Sequence, residues 1–424
     1  MSADKIEKKP LITIVMPCLN EEAYIGRSVR SLLDSWAIRN CELLVVDGGS
    51  TDGTKKVVEE LISQPPESLE SWAPGARAPG QGRPENEVVW LMQSRDSWVR
   101  EVQGEWNPVT SGKRRAVIRL LDNAGGTAGT GMNMGIAQAA GKIIVRADAH
   151  CVFPSAYVKR CVELLADTGA ANAGGVMVPR GEGGAIQAAI AFALRHPLGT
   201  GNAAIRKTDF RGEAENVIFG TFRKALFDEI GGYDVNAPAN EDAELNVRII
   251  CSGKKISLDS NIKITFFPAK TLRKLASQYF RRGRGLARTT LRHKLLTGWR
   301  QAAAPALVLV TSYAIMRAVL GRPIHLIVPS AYALAIVGAA FLTLGKEKIR
   351  QAREAGPATS RAGVLPGASA SSSLRRDRPT CAGSGIGADM NGLTFKMRMT
   401  VAAAWAVMHL SWGAGFLFGL VKWW

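Results

Sequence analysis

From Leu11 onward, short apolar runs alternate with longer stretches in which apolar residues recur every third or fourth position. "LITIV" and "CELLVV" are rich in β-branched residues and bounded by polar or turn residues, as strands buried on both faces are. Between them, "EEAYIGRSVRSLLDSW" spaces Ile25, Val29, Leu32 and Leu33 along one helical face, and "TKKVVEELI" follows the turn "GGSTDG". This β-α-β-α order predicts a parallel sheet covered by helices. The N-terminal segment, with its proline and polar "NEE" exit, reads as a strand and not as a signal peptide.

Residues 64–115 lose the pattern and are rich in Pro, Gly and charge, so an inserted loop is expected there. The alternation resumes with "AVIRLLDN", the turn "AGGTAGTG", a helix around "MNMGIAQAA" and the strand of "GKIIVRADAH". The glycine-rich turn matches neither phosphate-loop nor dinucleotide spacing and reads as a plain turn.

In the last third the pattern changes to long apolar runs, 302–320, 324–344 and 400–421, each about long enough to cross a bilayer core. Only "GRP" separates the first two, which predicts a tight hairpin, and 400–424 is expected to be a third span. The connection 345–399 holds ten Lys and Arg and a low-complexity stretch. Its charge places it, with the N-terminal domain (1–268), on the cytoplasmic side and the C-terminus opposite.

Lys plus Arg total 54 against 36 acids, a formal charge of +18, which calls for an anionic partner. From Lys270 to Arg300 there are ten basic residues and no acid, directly before the first apolar run. That placement favours a membrane-interface segment over 269–301, and argues against nucleic acid, for which no recognition module is visible. The six cysteines are scattered without a Cys-x-x-Cys pair, so neither a zinc site nor a disulfide framework is expected.

Ligands of open α/β sheets bind beyond the carboxyl ends of the strands. Three exits carry polar sequences here: "MPCLNEE", "DGGSTDGT" and "DAH". Taken singly, Asn20 could cap a helix, and Asp47, Ser50 and Asp52 could organise a turn. Asp148 and His150, two residues apart, offer a carboxylate and an imidazole that suit Mn2+, with Mg2+ preferring the oxygen.

In this order, "PCLNEE", "VVDGGSTDGT" and "NMGIAQAAGKIIVRADAH", followed by "FGTFRKALFDEIGGYD", "NEDAELNVRI" and "QYFRRGRG", resemble the family 2 glycosyltransferases. The likeness is closest to the subgroup of succinoglycan-type exopolysaccharide synthesis. It implies an α/β fold of GT-A type, a Rossmann-like, mainly parallel sheet of nucleotide-diphospho-sugar transferases, followed by C-terminal transmembrane helices. It implies an inverting, metal-dependent enzyme of the cytoplasmic membrane, transferring one sugar from a nucleotide sugar, such as UDP-glucose, to a lipid-linked saccharide. By the resemblance, Pro17, Leu19, Asn20, Glu21 and Asp47 line the nucleotide pocket, and Asp148 and His150 hold a divalent cation, Mn2+ or Mg2+. Asp242 is the catalytic base, with Glu241, Gln278, Arg281 and Arg282 in the acceptor site. His150 stands where most members have an aspartate, and Gly48 where many have a second one. Arg282 replaces the tryptophan of processive members, which favours single addition over a polysaccharide synthase. A non-catalytic scaffold binding anionic lipid is the alternative of another class; it leaves Asp47, Asp148, His150 and Asp242 unexplained.

Overall fold

The computed structural model describes residues 12–33, 41–63, 117–201, 203–206, 209–237, 239–294, 300–354 and 395–423. The insertion expected over 64–115 and the low-complexity stretch within 345–399 lie outside the described residues.

The sheet contains β1 (Ile12–Cys18), β2 (Cys41–Asp47), β3 (Val117–Asp122), β4 (Ile143–Arg146), β5 (Cys151–Val152), β6 (Asn172–Pro179), β7 (Arg211–Glu213), β8 (Thr221–Arg223) and β9 (Ile256–Phe266). Its order is β3-β2-β1-β4-β8-β6-β9-β5, with β7 beside β9. Pairings β3-β2, β2-β1, β1-β4 and β6-β9 are parallel, whereas β8, β5 and β7 run against their neighbours. The sheet is therefore mixed and mainly parallel, as expected for the GT-A type.

Both faces of the sheet are covered, which explains why its strands read as unbroken apolar runs. Ile14 and Met16 of β1 face one core with Ile25, Val29 and Val58, while Val15 faces the other with Met132 and Ile136. The helices supplying these residues are Glu22–Leu33, Thr54–Ser63 and Ala128–Gln138. Gly135 permits the last of these to lie close on β1, because a Cβ there would run into the Val15 side chain. The glycine-rich turn serves this packing: Thr127 caps the helix in a capping box with Thr130, and Gly131 faces Pro17.

After β9 come the basic helix Leu272–His293, capped by Thr271, and the helices Arg300–Val319, Ile327–Glu354 and Phe395–Trp423. Three stretches, Gln301–Val319, Pro323–Leu344 and Phe395–Trp423, are long and apolar enough to cross a membrane.

Candidate active site

Parallel register brings the first two motifs together. Cys18 at the end of β1 pairs with Asp47 at the end of β2, and Asp47 with Asp122 on β3. Asp47 is fully buried, and its Oδ2 accepts from the backbone N–H groups of Gly49 at 3.0 Å and Ser50 at 2.9 Å. Burial alone would raise its pKa; the bonds from Ser50 and Gly49, together with Lys55, outweigh burial and hold the carboxyl below its usual range.

The β1 and β2 exits are then laced together. Asn20, in left-handed backbone at φ 55°, accepts on Oδ1 from Thr51 N at 2.8 Å, while its own N–H donates to Ser50 Oγ at 2.9 Å. Glu21 N donates to Thr54 Oγ1 at 2.8 Å, and Gly53 N to Glu22 Oε2 at 3.0 Å. Asn20 thus ties one loop to the next instead of capping the helix that follows it. Pro17 is half-buried in β1, and Leu19 is exposed beside the loop.

The "DAH" turn follows β4. Ser28 Oγ donates to Asp148 O at 3.1 Å, and Phe267 N to His150 O at 3.1 Å, fixing the turn between a helix and β9. His150 Nδ1 lies 3.1 Å from Glu21 Oε1. A carboxylate only accepts, so Nδ1 carries the hydrogen, and in the neutral ring Nε2 holds the lone pair, the arrangement in which a carboxylate orients a metal-binding histidine. Burial disfavours the imidazolium, yet Glu21 and then Asp148 outweigh it and raise the His150 pKa.

Arg146, the last residue of β4, is the centre of the second half. Its side chain is 5% exposed; Nε donates to Asp148 Oδ1 at 3.2 Å and Nη2 to Glu241 Oε1 at 2.8 Å. Its guanidinium lies 5.8 Å from the centroid of the buried Tyr233 ring, and its Nη1 has no hydrogen-bond partner among the described residues. Asn133 holds Tyr233 in place, donating to its carbonyl at 2.9 Å and accepting from its N–H at 2.7 Å.

Glu241 and Asp242 open the helix Glu241–Cys251, after Asn240 in left-handed backbone. Burial first, and then the neighbouring Glu241 charge, push the Asp242 carboxyl up to about 6 against the pull of Arg146. A carboxylate of this kind takes a proton more readily near neutrality than an ordinary one. Asp148 also acts on Asp242 through its charge, so the carboxylates on either side of Arg146 share one field.

The basic helix closes the site. Asn240 Nδ2 donates to Arg282 O at 2.8 Å, and the Arg282 charge reaches His150 and offsets a small part of the rise in its pKa. Arg282 lies over the Tyr279 ring at 5.3 Å, Arg281 is exposed, and Gln278 is half-buried on the same helix. Asp234 Oδ2 accepts from Arg288 Nε at 3.0 Å and from Arg292 Nη1 at 3.0 Å.

The structure therefore joins Asn20, Glu21, Asp47, Asp148, His150, Glu241, Asp242 and Arg282 around the strand ends. Sequence reasoning passed over Arg146, Tyr233, Asn133 and Asp234. Arg146 did leave a signal: it is the one charge within the apolar run "IIVRA", and a buried strand takes an arginine only with partners.

Residues 13–68 and 100–230 match the model of glycosyl transferase family 2. The chain is similar to the succinoglycan biosynthesis protein ExoA of Rhizobium meliloti, 28% identical over 71% of this chain and 76% of that protein. It also resembles the lipopolysaccharide core biosynthesis glycosyltransferase LpsC of the same organism, 46% identical over 13% of this chain and 19% of LpsC. Among solved structures, the mannosyltransferase PcManGT of Pyrobaculum calidifontis, in complex with GDP-Man and Mn2+, aligns with a TM-score of 0.41 at 17% identity, over 68% of this chain and 65% of that one. At that distance it bears on neither substrate nor metal.

Proposed function

We propose that this glycosyltransferase is an inverting enzyme of the bacterial cytoplasmic membrane that adds one sugar from a nucleotide sugar, such as UDP-glucose, to a lipid-linked saccharide in exopolysaccharide synthesis. The observation that carries the reading is Arg146 pinned between Asp148 and Glu241, with the raised Asp242 carboxyl beside them. Asp47 binds the nucleoside, and Asp242 removes the proton of the acceptor hydroxyl as it attacks the anomeric carbon. The similarity to ExoA supports the exopolysaccharide assignment.

Asp148 and His150 fit a divalent cation of the Mn2+ or Mg2+ type that completes its shell with substrate phosphates, because the Glu21 contact leaves His150 Nε2 as a ligand atom. Such a cation, when bound, stabilises charge on the departing diphosphate. Among the described residues there is no cluster of three or more His, Cys, Asp and Glu side chains able to hold a metal ion.

Arg282 and the exposed Arg281 offer planar cations suited to a lipid diphosphate where an aromatic platform would hold a polymer, which supports single addition. The test uses full-length protein in lipid with a panel of nucleotide sugars and a membrane lipid extract. Nucleotide diphosphate release with one sugar increment on a lipid, lost in chelator and restored by Mn2+, is expected. A ladder of increments would overturn single addition, and full turnover in chelator would overturn the metal.

A further inference from the structure

The helix Glu241–Cys251 carries a second acid one turn beyond Glu241. The side chain of Glu244 is only 2% exposed, and a carboxylate buried so deeply needs countercharge and donors. Arg248, the next turn on, donates to Glu244 Oε2 from Nε at 3.0 Å and from Nη2 at 2.8 Å. The same guanidinium donates to the carbonyls of Ile230 at 2.6 Å and Gly232 at 2.7 Å, directly before Tyr233 and Asp234. His293 Nε2 lies 2.9 Å from Glu244 Oε1 and donates to it, since a carboxylate only accepts. Both oxygens of Glu244 are therefore filled by protein, so it acts through its neighbours and not on a substrate.

His293 ends the basic helix Leu272–His293, which meets the chain before the base along its length. Arg288 and Arg292 hold Asp234, Gly285 packs on the Ala239 carbonyl, and the Arg282 carbonyl accepts from Asn240. Positions 282, 285, 288 and 292 recur at three- and four-residue intervals, so one helical face makes these contacts. Burial would raise the Asp234 carboxyl, but the Arg288 bond and the charges of Arg288 and Arg292 hold it below its usual range. The contacts close a circuit: from Glu244 to Arg248, to the carbonyls before Tyr233, through Asp234 to Arg288 and Arg292, and back through His293 to Glu244. The parts of this circuit nearest the reacting groups bear on Arg146, through the Tyr233 ring at 5.8 Å and Glu241 at 2.8 Å.

We infer that Glu244 is a positioning residue: through Arg248 and His293 it sets Asp242 against Arg146, so that the base is placed by the basic helix and not by the sheet alone. The inference rests on Asp242 as the base. The basic helix is itself fixed on another face, where Gly283 lies against the Trp412 carbonyl, Gly415 against the Phe280 carbonyl, and Gly419 against Arg284 and Ala287. The position of the base thus depends on the helix Phe395–Trp423 as well, far along the chain from Asp242. Opening the contact of Glu244 with His293 releases the start of the helix Glu241–Cys251 and lets water reach the Asp242 carboxyl.

The test compares full-length protein in lipid with Glu244→Gln, His293→Gln and the double variant, using the nucleotide sugars and lipid extract described above. Glu244→Gln should lower kcat by about 100-fold, the scale of a misplaced catalytic group, with nucleotide Kd unchanged. The acid limb of kcat/KM for the acceptor should move from about pH 6 toward the ordinary carboxylate range, because burial is the first cause of the Asp242 elevation, ahead of the charges of Glu241, Arg146 and Asp148. His293→Gln should act in the same direction, and the double variant should lose no more than Glu244→Gln alone, since both changes break one contact. Wild-type kcat with an unmoved limb would overturn the inference. So would a nucleotide Kd that worsens in step with kcat, which marks a prop of the whole fold. Should Glu244→Gln fail to fold, His293→Gln at the helix end carries the test with the same outcomes. Asp242→Asn separates the inference from the reading beneath it. A limb that survives there removes the base assignment, whereas a limb lost there and unmoved in Glu244→Gln removes only the role of Glu244.

Discussion

The site has two halves built on different principles. The half proposed to bind the nucleotide is short-range in space and regular in sequence: Asn20, Asp47, Ser50 and Thr51 sit on adjacent parallel strand exits and are laced by bonds from backbone N–H groups to side chains. The half proposed to receive the acceptor joins Arg146 of β4 to Glu241, 95 positions later, and Asp234 to Arg288 and Arg292 of the basic helix, 54 and 58 positions later. The first half holds its charge with backbone N–H groups that come with the loop. The second holds charge with countercharge, and exists only once the whole sheet and the basic helix are in place.

The two halves should break differently. Asp242→Asn should lower sugar transfer by about 100-fold to 10,000-fold, the usual contribution of a general base, with nucleotide Kd unchanged. It should also change stability in a pH-dependent way. The Asp242 pKa rises from 3.8 to about 6 on folding, so ionisation costs stability as pH rises through that window. The Asn variant should therefore melt above wild type at pH 7 and level with it near pH 4, as thermal unfolding would read. A variant that melts below wild type at pH 7 would remove the strain assigned to Asp242.

Arg146→Met strikes both halves together. It leaves the half-buried Asp148 and Glu241 without their cation, a loss that approaches the ~3–5 kcal/mol of a fully buried pair only as an upper bound. Melting temperature, metal-dependent nucleotide binding and acceptor use should all fall, and Arg146→Lys should recover part of each. Loss of nucleotide binding alone would assign Arg146 to the first half only.

Asp47→Asn should weaken nucleotide binding by about 10-fold to 150-fold, in line with ~1.5–3 kcal/mol for a hydrogen bond to a charged group, and spare kcat at saturating donor. Asn20→Ala loses one loop-to-loop bond, worth about 1 kcal/mol, and should raise nucleotide Kd by roughly fivefold. Titration of the nucleotide by calorimetry separates both from the Asp242 effect.

What was legible in the sequence follows the same division. The apolar runs became β1, β2, β3 and β4, and register then fixed "PCLNEE" beside "DGGSTDGT" without further information. Asp148, His150 and the "NED" acids were visible as chemistry at element ends. Arg146 was hidden because its role depends on Glu241 and Tyr233, which no local pattern ties to β4. Asn133 was equally silent, a motif residue whose side chain holds the backbone of a loop 100 positions away. The helix Phe395–Trp423 was legible as a span because its apolar length is a local property of the chain.

The account rests on Asp242 as the base of the acceptor half, and the pH dependence of kcat/KM for the acceptor, at saturating donor and metal, tests this most directly. Wild type should lose activity with unit slope below about pH 6, where the buried carboxyl takes up its proton, and Asp242→Asn should show low residual transfer without that limb. An acid limb that survives unchanged in Asp242→Asn, or wild-type transfer that stays level down to pH 4.5, would contradict it.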